Sequence, residues 1–205
     1  MVSQTNNDKC VLCSAIEDSA GNEHPDNIYN KQLEESDNFS VLPCIGPLVK
    51  GHVMVVSKNH ADNLSKMGIE RIKEYEYLKN RVQQSYELYN SNLLEAEHGA
   101  KQENNSGACI IHTHIHWIPS WGNNSNLFSS LNLRNKIDRI ENICNEKVPY
   151  IFSRGNSSII RIYSAEDTPS QAIRRIITSE MGKKNWDWAV YPRYDLIKET
   201  VNYWT

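Results

Sequence analysis

The sequence contains no long apolar run and no excess of basic residues. No stretch of about 18 consecutive apolar residues occurs in it, so no segment is predicted to span a bilayer. The formal net charge of the 205 residues is −3, which gives no general electrostatic basis for binding nucleic acid or a membrane surface. We therefore expect neither a membrane nor nucleic acid to be the main partner.

The sequence also lacks the marks of an exported protein. Its first residues, MVSQTNNDKC, are polar and have no apolar middle of the kind that a signal peptide requires. The cysteines are few and odd in number: Cys10, Cys13, Cys44, Cys109 and Cys144. A secreted disulfide scaffold is therefore not expected, and a reducing cytoplasm fits these thiols better.

What the chain does contain is the composition and patterning of a folded α+β protein. Hydrophobic residues make up 39% of it and charged residues 23%, which is ordinary for a globular domain. Short β-branched runs predict strands over Phe39–Ile45, His52–Ser57 and Leu93–Glu97. Apolar residues three or four apart predict an amphipathic helix from Leu64 to about Tyr89. The close spacing of the strands favours a mainly antiparallel sheet.

Local signals predict the remaining elements. In chain order these are a loop over residues 17–38, a helix over Leu131–Cys144, a hairpin turning at Gly155 and Asn156, a helix from the N-cap Ser170 to Gly182, and a helix over Tyr194–Trp204. No internal repeat and no long low-complexity block is present.

Three of the seven histidines fall in one short segment, CIIHTHIHWIP (Cys109–Pro119). Because side chains alternate between the two faces of a strand, His112, His114 and His116 are expected on one face. His112 and His116 would then lie about 13 Å apart at Cα, too far for one metal ion to bind all three rings. A row of imidazoles suits an extended anion such as a polyphosphate or phosphodiester. The alternative is a polar strand face exposed to solvent.

The segment HTHIHWI resembles the His-x-His-x-His signature of the histidine triad (HIT) family, with Thr113 as a polar exception. Two further blocks are similar to that family. GHVMVVSKNHADNLSKM (Gly51–Met67) resembles its Gly-His, apolar strand and Lys-x-His segment, and CVLC (Cys10–Cys13) resembles the Cys-x-x-Cys of its zinc-bearing members. The resemblance covers about residues 8–120. The long amphipathic helix between the blocks is also expected in that family.

The resemblance implies a HIT-like two-layer α+β fold, commonly a homodimer, that binds a nucleotide or a related phosphate ester. It implies a catalytic core over residues 1–120 and a C-terminal α/β extension over residues 121–205, packed on the core. The middle histidine, here His114, would attack the phosphorus to form a nucleotidyl-histidine, and His116 would assist by hydrogen bonding or proton transfer.

Hydrolysis is the reaction expected first from this resemblance. A nucleotidyltransferase or phosphorylase would use the same intermediate with another acceptor. A nucleotide-binding protein without turnover is the alternative from a different class, and a metallohydrolase with the three histidines as ligands is opposed by their spacing along a strand.

A zinc site is expected near the start of the chain. Cys10 and Cys13 have the spacing of one half of such a site, and no second Cys-x-x-Cys follows. The resemblance implies that His60 and His112 complete the set. Two cysteines and two histidines would form a closed, structural site rather than a catalytic one. Two free thiols or a redox pair are the alternatives.

Further substrate-binding positions are implied by the resemblance. They are His98 or its neighbour Glu97 in the segment EHGAKQ, Ser106 and Gly107 before the histidine strand, and His112 itself. A polar loop residue without a binding role is the alternative for His98. The chain departs from the family at two positions: Cys44 stands where many members carry the acid that holds the ribose, and Ala108 where many carry a glutamine that contacts the phosphates.

The C-terminal third lies outside the resemblance. Arg174 and Arg175 would either grip a phosphate or form a solvated basic face. The segment WDWAVYP (Trp186–Pro192) offers a large apolar area that fits a lid, a dimer contact or part of the core.

Overall fold

The computed structural model describes residues 10–21, 28, 30–90, 93–99, 110–119, 127–155 and 159–205. The helices are α1 Val11–Gly21, α2 Ile69–Ser85, α3 Glu87–Asn90, α4 Ala172–Glu180 and α5 Tyr194–Trp204. The strands are β1 Glu34–Glu35, β2 Phe39–Pro43, β3 Val53–Ser57, β4 Leu93–Gly99, β5 His114–Pro119, β6 Leu133–Ile137, β7 Tyr150–Arg154 and β8 Ile160–Ser164. Across these ranges, no helix has both the length and the apolar character needed to cross a membrane.

The strands form one antiparallel sheet in the order β1-β2-β3-β5-β4-β7-β8-β6. The strand that carries the histidines, β5, lies inside the sheet, where His116 pairs with Met54 of β3 and with Ala96 of β4. The predicted α+β fold with a mainly antiparallel sheet is therefore confirmed. The division into a core over 1–120 and an extension over 121–205 stays a prediction.

One face of the sheet is covered by α2. Its residues Tyr75, Leu78 and Val82 recur at helical spacing and are fully buried, in one cluster with Trp117 of β5 and Phe152 of β7. Burial of each large apolar side chain contributes about 1.5–3 kcal/mol, so this layer stabilises the fold.

A buried ionic layer lies under the same face. Glu95 of β4 pairs in register with Arg154 of β7 and accepts hydrogen bonds from its Nε at 2.7 Å and its Nη2 at 2.6 Å. The hydroxyl of Tyr75 in α2 donates to the same carboxylate at 2.5 Å. The bidentate geometry joins β4, β7 and α2 through one carboxylate.

The opposite face of the sheet is covered by α1 and α4. Leu12 of α1 packs against Leu42 of β2, and Ile173 and Ile177 of α4 belong to a cluster with Ile151 of β7. His114 and His116 project from β5 toward this face, because their neighbour Trp117 belongs to the α2 side. The position of α1 and α4 thus determines what surrounds these histidines.

The predicted helix over Leu131–Cys144 is wrong. Leu133–Ile137 is the strand β6, hydrogen-bonded to β8, and Ile140–Asn145 is a 3-10 turn. Without β6, the described edge of β8 would expose unpaired N–H and C=O groups, so sheet pairing outweighs the helical spacing here. Ile140 and Ile143 are nevertheless buried, by the turn rather than by a helix.

Three further boundaries differ from the sequence predictions. The loop predicted over residues 17–38 is wrong at its start, because α1 continues to Gly21. The helix α4 begins at Ala172 rather than after Ser170, and its N-terminal neighbour Gln171 has a left-handed φ of 58°. Gln171 is held there by contacts with the C-terminal segment, through Nε2 to Asp187 Oδ1 at 3.1 Å.

The histidine strand also begins later than predicted, at His114. Both the N–H and the hydroxyl of Thr113 donate to the carbonyl of Ala61, at 2.6 and 3.0 Å. Because Thr113 bonds to Ala61, the backbone leaves the extended line of β5 before His114. His112 therefore does not continue the face that His114 and His116 share.

The other elements are confirmed. The predicted strands in the first half correspond to β2, β3 and β4, and the long amphipathic helix corresponds to α2 with the short α3 after it. Its predicted start at Leu64 is wrong, because Leu64–Lys66 forms a separate 3-10 turn and α2 begins at Ile69. The predicted C-terminal hairpin is the antiparallel pair β7 and β8, α4 ends before Gly182 at φ 65°, and α5 spans Tyr194–Trp204.

Candidate active site and metal centre

A cavity of about 290 Å³ lies on the sheet face covered by α1 and α4. His114 and His116 of β5, His98 of β4 and Met54 of β3 line it from the sheet. Its other described lining comes from α1, from the end of β2 with the following turn, from α4 and from Trp188. Most of these side chains are apolar, so ionic and hydrogen-bonding groups in the cavity act in a poorly screened environment.

The imidazole of His114 is held in one tautomer by the backbone. Its Nδ1 lies 2.6 Å from the carbonyl oxygen of His112, so Nδ1–H donates and Nε2 keeps its lone pair. Burial lowers the pKa of His114 below its usual value, with the hydrogen bond to the carbonyl opposing that shift. The ring is therefore neutral near pH 7, with a nucleophilic nitrogen available.

The tautomer of His116 is fixed by a relay that starts at a backbone amide. The N–H of Leu48 donates to Nδ1 of His52 at 3.1 Å, which leaves the ring proton of a neutral His52 on Nε2. That Nε2 lies 3.0 Å from Nδ1 of His116 and donates to it. His116 consequently carries its own proton on Nε2, and burial holds the pKa of both rings well below the usual value.

His52 is the functional neighbour that sequence reasoning missed. In the sequence it stands only as the first residue of a predicted strand, and the pairing of β3 with β5 brings it beside His116. A signal was present in the Gly-His pair that opens the Gly51–Met67 block. The Gly51-His52 pair supports the family resemblance, but it does not predict which residue the His52 imidazole contacts.

The other predicted substrate-binding residues have different outcomes. His98 lines the cavity on the same side as His116, and its Nε2 lies 3.2 Å from Oγ1 of Thr168. Ser106 and Gly107 lie outside the described residues, as does Ala108.

The four predicted zinc ligands lie together beside the cavity. The ligand atoms of Cys10, Cys13, His60 and His112 are all within 4.8 Å of one another. The Cys13 sulfur is 3.4 Å from Nδ1 of His60 and 3.5 Å from Nδ1 of His112. A tetrahedral zinc with ordinary bond lengths separates sulfur and nitrogen ligands by about 3.5 Å, so this set of donors fits that ion.

His112 is oriented toward these sulfurs by a second contact. Its Nε2 donates to the carbonyl oxygen of Ser57 at 2.7 Å, which leaves the lone pair on Nδ1, 3.3 Å from the sulfur of Cys10. Such an outer hydrogen bond is the usual way in which a ligating imidazole is held in its tautomer. Both ring nitrogens are thus engaged away from the cavity, which favours the metal role over the substrate-binding role predicted for His112.

A second buried group of possible metal ligands consists of Cys44, His52 and His116. The guanidinium of Arg174 donates to the Cys44 sulfur at 3.6 Å, and the amide of Leu48 donates to His52. A metal ion at this position would be repelled by the positive charge of Arg174. Its possible ligands are also already engaged in hydrogen bonds. We assign no metal to this group.

Comparison with known proteins gives relatives that match about half of the chain. No protein-family model matches it. The protein named Protein hit from Bacillus subtilis (strain 168) is 25% identical over 119 residues, which cover 56% of this chain and 73% of that protein.

Two solved structures also match part of the chain. A hypothetical histidine triad nucleotide-binding protein from Sulfolobus tokodaii strain7 is 22% identical with a TM-score of 0.42, covering 56% of this chain and 70% of that one. A zinc-bound histidine triad family protein from Mycobacterium smegmatis is 19% identical with a TM-score of 0.41, covering 58% and 80%. Each of these two matches covers little more than half of this chain.

Proposed function

We propose that this chain is a histidine triad enzyme that hydrolyses a phosphoanhydride or phosphoester of a nucleotide through a nucleotidyl-histidine intermediate at His114. The observation that supports this most strongly is the pair of opposite tautomers in the cavity. His114 offers a lone pair on Nε2, and His116 offers a proton on Nε2. A nucleophile beside a neutral hydrogen-bond donor suits attack on a phosphoryl group.

In the first step, Nε2 of His114 forms a bond to the phosphorus as the bond to the leaving-group oxygen breaks. The electron pair of that bond leaves with the oxygen. His114 needs no base to remove a proton, because its proton is already on Nδ1 and bonded to the carbonyl of His112. The lowered pKa of His114 keeps the ring in this reactive form at neutral pH.

His116 acts in this scheme as a hydrogen-bond donor rather than as an acid. With Nδ1 accepting from His52, its Nε2–H is directed outward, toward negative charge that develops on the phosphoryl or leaving-group oxygen. Its pKa is held well below the usual value, so a doubly protonated, acidic ring is disfavoured. A preorganised donor in an apolar cavity stabilises such charge more strongly than it would in water.

In the second step, the oxygen of a water molecule forms a bond to phosphorus, the bond to Nε2 breaks, and one proton of that water is released to solvent with the product. The nucleotidyl-imidazole carries positive charge, because Nδ1 keeps its proton while Nε2 is bonded to phosphorus. The carbonyl of His112, 2.6 Å from Nδ1, stabilises that charge during the lifetime of the intermediate. The electron pair of the broken bond returns to Nε2, which restores the starting tautomer.

We further propose that zinc bound by Cys10, Cys13, His60 and His112 is structural. Four protein ligands leave no open coordination position, so bound zinc would supply folding energy. The zinc would hold α1 against β5. A reducing cytoplasm, which we propose as the location, would keep the two thiols available as ligands.

Two alternatives remain within the proposal. A nucleotidyltransferase or phosphorylase would pass the same intermediate to an acceptor other than water, and a nucleotide-binding protein would form no intermediate. A homodimer is proposed from the family resemblance.

The test is intact-protein mass spectrometry with a panel of nucleotide phosphoesters, comparing the wild type with His114→Asn. Brief mixing and a mildly alkaline quench preserve phosphoramidate bonds. We expect a nucleotidyl adduct in the wild type and none in His114→Asn, with the mass identifying the nucleotide. Intact zinc content in the variant would exclude a folding defect, and the absence of any adduct or turnover with the panel would favour a binding protein.

A further inference from the structure

Arg174 of α4 is a buried cation in the wall of the cavity. The residue is 4% exposed, and its three side-chain nitrogens each contact a neutral group. Nε donates to the carbonyl of Trp186 at 2.7 Å, Nη2 to the carbonyl of Gly46, and Nη1 to the sulfur of Cys44 at 3.6 Å. Two guanidinium hydrogens are left over after these contacts, since arginine has five N–H donors.

No carboxylate among the described residues forms an ion pair with Arg174, although the pKa of the solvent-accessible Asp187 is lowered by its hydrogen bond from Gln171 and also by the charge of Arg174. The buried Arg154, in contrast, pairs with Glu95. Asp187, the acid in the segment that packs against Arg174, instead accepts from Gln171 Nε2 and from the N–H of Ala189 at 3.0 Å. A buried cation that is held only by neutral acceptors keeps much of its desolvation cost, which an anion entering the cavity would offset.

The contacts of Arg174 place it beside Cys44 in the cavity wall. The Cys44 thiol, which Arg174 contacts, lies within 4.8 Å of ligand nitrogens of His52 and His116. His52 approaches His116 from the Nδ1 side, while the reaction uses Nε2 of His114. Arg174 therefore marks the Cys44 end of the cavity.

The surroundings of Arg174 are built to keep it in this place. Gly46, whose carbonyl accepts from Arg174, has a φ of +64°, and a Cβ there would be 2.8 Å from the backbone of Trp188. The N–H of Gly46 also donates to the carbonyl of Pro192 at 2.8 Å. The guanidinium thus cannot move out to solvent without unpacking this turn from the C-terminal segment.

We infer that Arg174 binds a second anionic group of the ligand, a phosphate or a carboxylate, at the Cys44 end of the cavity. The substrate would then be a phosphate ester with two separated negative groups, one attacked by His114 and one held by Arg174. No acidic side chain is among the described residues that line the cavity, which suits such a ligand. This inference rests on the proposed function and deepens it by naming the substrate class.

The test introduces the missing counter-ion within the chain. Cys44→Asp places a carboxylate beside Arg174, and Cys44→Asn is its uncharged control of equal size. We expect Cys44→Asp to unfold at a temperature at least about 3 °C above that of Cys44→Asn, because the new ion pair compensates the buried charge. Equal melting temperatures would mean that the charge is already compensated, and would overturn the inference.

Anion binding supplies the second measurement. Inorganic phosphate and acetate are added separately at constant ionic strength, and the melting temperature is recorded. At about ten times its Kd, the bound anion should raise the melting temperature of the wild type and of Cys44→Asn by about 3 °C, and that of Cys44→Asp by much less. Comparing the two anions separates a phosphate site from a carboxylate site.

The same titration in His114→Asn distinguishes this inference from the proposed reaction. Persistence of the anion effect in His114→Asn, together with its loss in Cys44→Asp, supports a separate anion site at Arg174 even where no adduct forms. Loss of the effect in His114→Asn with an unchanged effect in Cys44→Asp would assign the anion to the histidines alone. Arg175→Gln is the control and should keep the anion effect of the wild type. Arg175 lies outside the cavity lining, with its guanidinium carbon 3.4 Å from the centroid of the Trp186 ring.

Discussion

Nε2 of His52 lies 3.0 Å from Nδ1 of His116, and the two rings are 5.1 Å apart at their centroids. Because the amide of Leu48 occupies the other nitrogen of His52, this contact has only one neutral arrangement of protons. A histidine outside the His-x-His-x-His segment thereby decides which nitrogen of His116 carries the proton. As a consequence, Nε2 of His116 is a hydrogen-bond donor rather than an acceptor, and it lies beside the proposed nucleophile His114.

Replacement of His52 tests this relationship. His52→Leu removes the hydrogen-bond donor to Nδ1 of His116 and allows the His116 proton to move from Nε2 to Nδ1. We therefore expect kcat to fall by about 10- to 100-fold, with KM changed by less than about threefold. His52→Gln, whose side-chain amide can still donate, should recover part of the loss. Steady-state kinetics with the substrate found by mass spectrometry would measure this, and equal activity of His52→Leu and the wild type would contradict the relay.

The metal site predicts a fixed stoichiometry. Purified protein should contain one zinc ion per chain, and Cys13→Ser should lose most of it, with the free energy of unfolding lowered by at least about 2 kcal/mol. Elemental analysis with denaturant unfolding checks both. Cys144→Ser is the control and should keep its zinc, because Cys144 is not among the four proposed ligands. Full zinc content in Cys13→Ser would rule out this ligand set.

Glu97 predicts a stability that falls with rising pH. The residue is buried, accepts from Tyr150 Oη at 2.6 Å and from the N–H of Leu64 at 2.9 Å, and has its pKa raised by burial from 4.5 to about 7. Between these two pH values the folded protein keeps a proton that the unfolded chain releases. Stability contributed by this proton is complete below pH 4.5 and is lost as the pH approaches 7.

The neutral variant Glu97→Gln isolates that contribution. Its stability relative to the wild type should increase between pH 4.5 and 7, by roughly 1.4 kcal/mol for each unit by which the pKa is raised. Urea unfolding at several pH values gives this difference, and the exposed Glu166→Gln should show none. A flat difference for Glu97→Gln would mean that the carboxyl is ionised in the folded state throughout.

The pair Glu95 and Arg154 predicts a large cost for breaking one side of a buried ion pair. Arg154→Met leaves the Glu95 carboxylate with Lys79, at 3.7 Å, as its remaining cation, and should cost about 3–5 kcal/mol of unfolding free energy. The double variant Arg154→Met/Glu95→Gln removes the uncompensated charge and should recover much of the loss. A double variant no more stable than the single one would contradict this account.

The sequence by itself predicted the residues of the candidate site and most of the sheet. The alternation of His114 and His116 is local, since a strand directs every second side chain to the same face. Cys10 and Cys13, with His60 and His112, could be named as one group from spacing and family resemblance, and their ligand atoms lie within 4.8 Å of one another. The helix α2 could be predicted because its apolar period repeats over many residues.

Only the tertiary structure decided how these residues are used. Leu133–Ile137 became a strand because the edge of β8 needs a partner, a requirement that no local pattern expresses. The tautomer of His116 depends on His52, 64 residues away, and the charge at the Cys44 end of the cavity depends on Arg174, 130 residues away. Such contacts arise from sheet pairing and helix packing between distant segments, so the sequence could supply the residues but not their pairing.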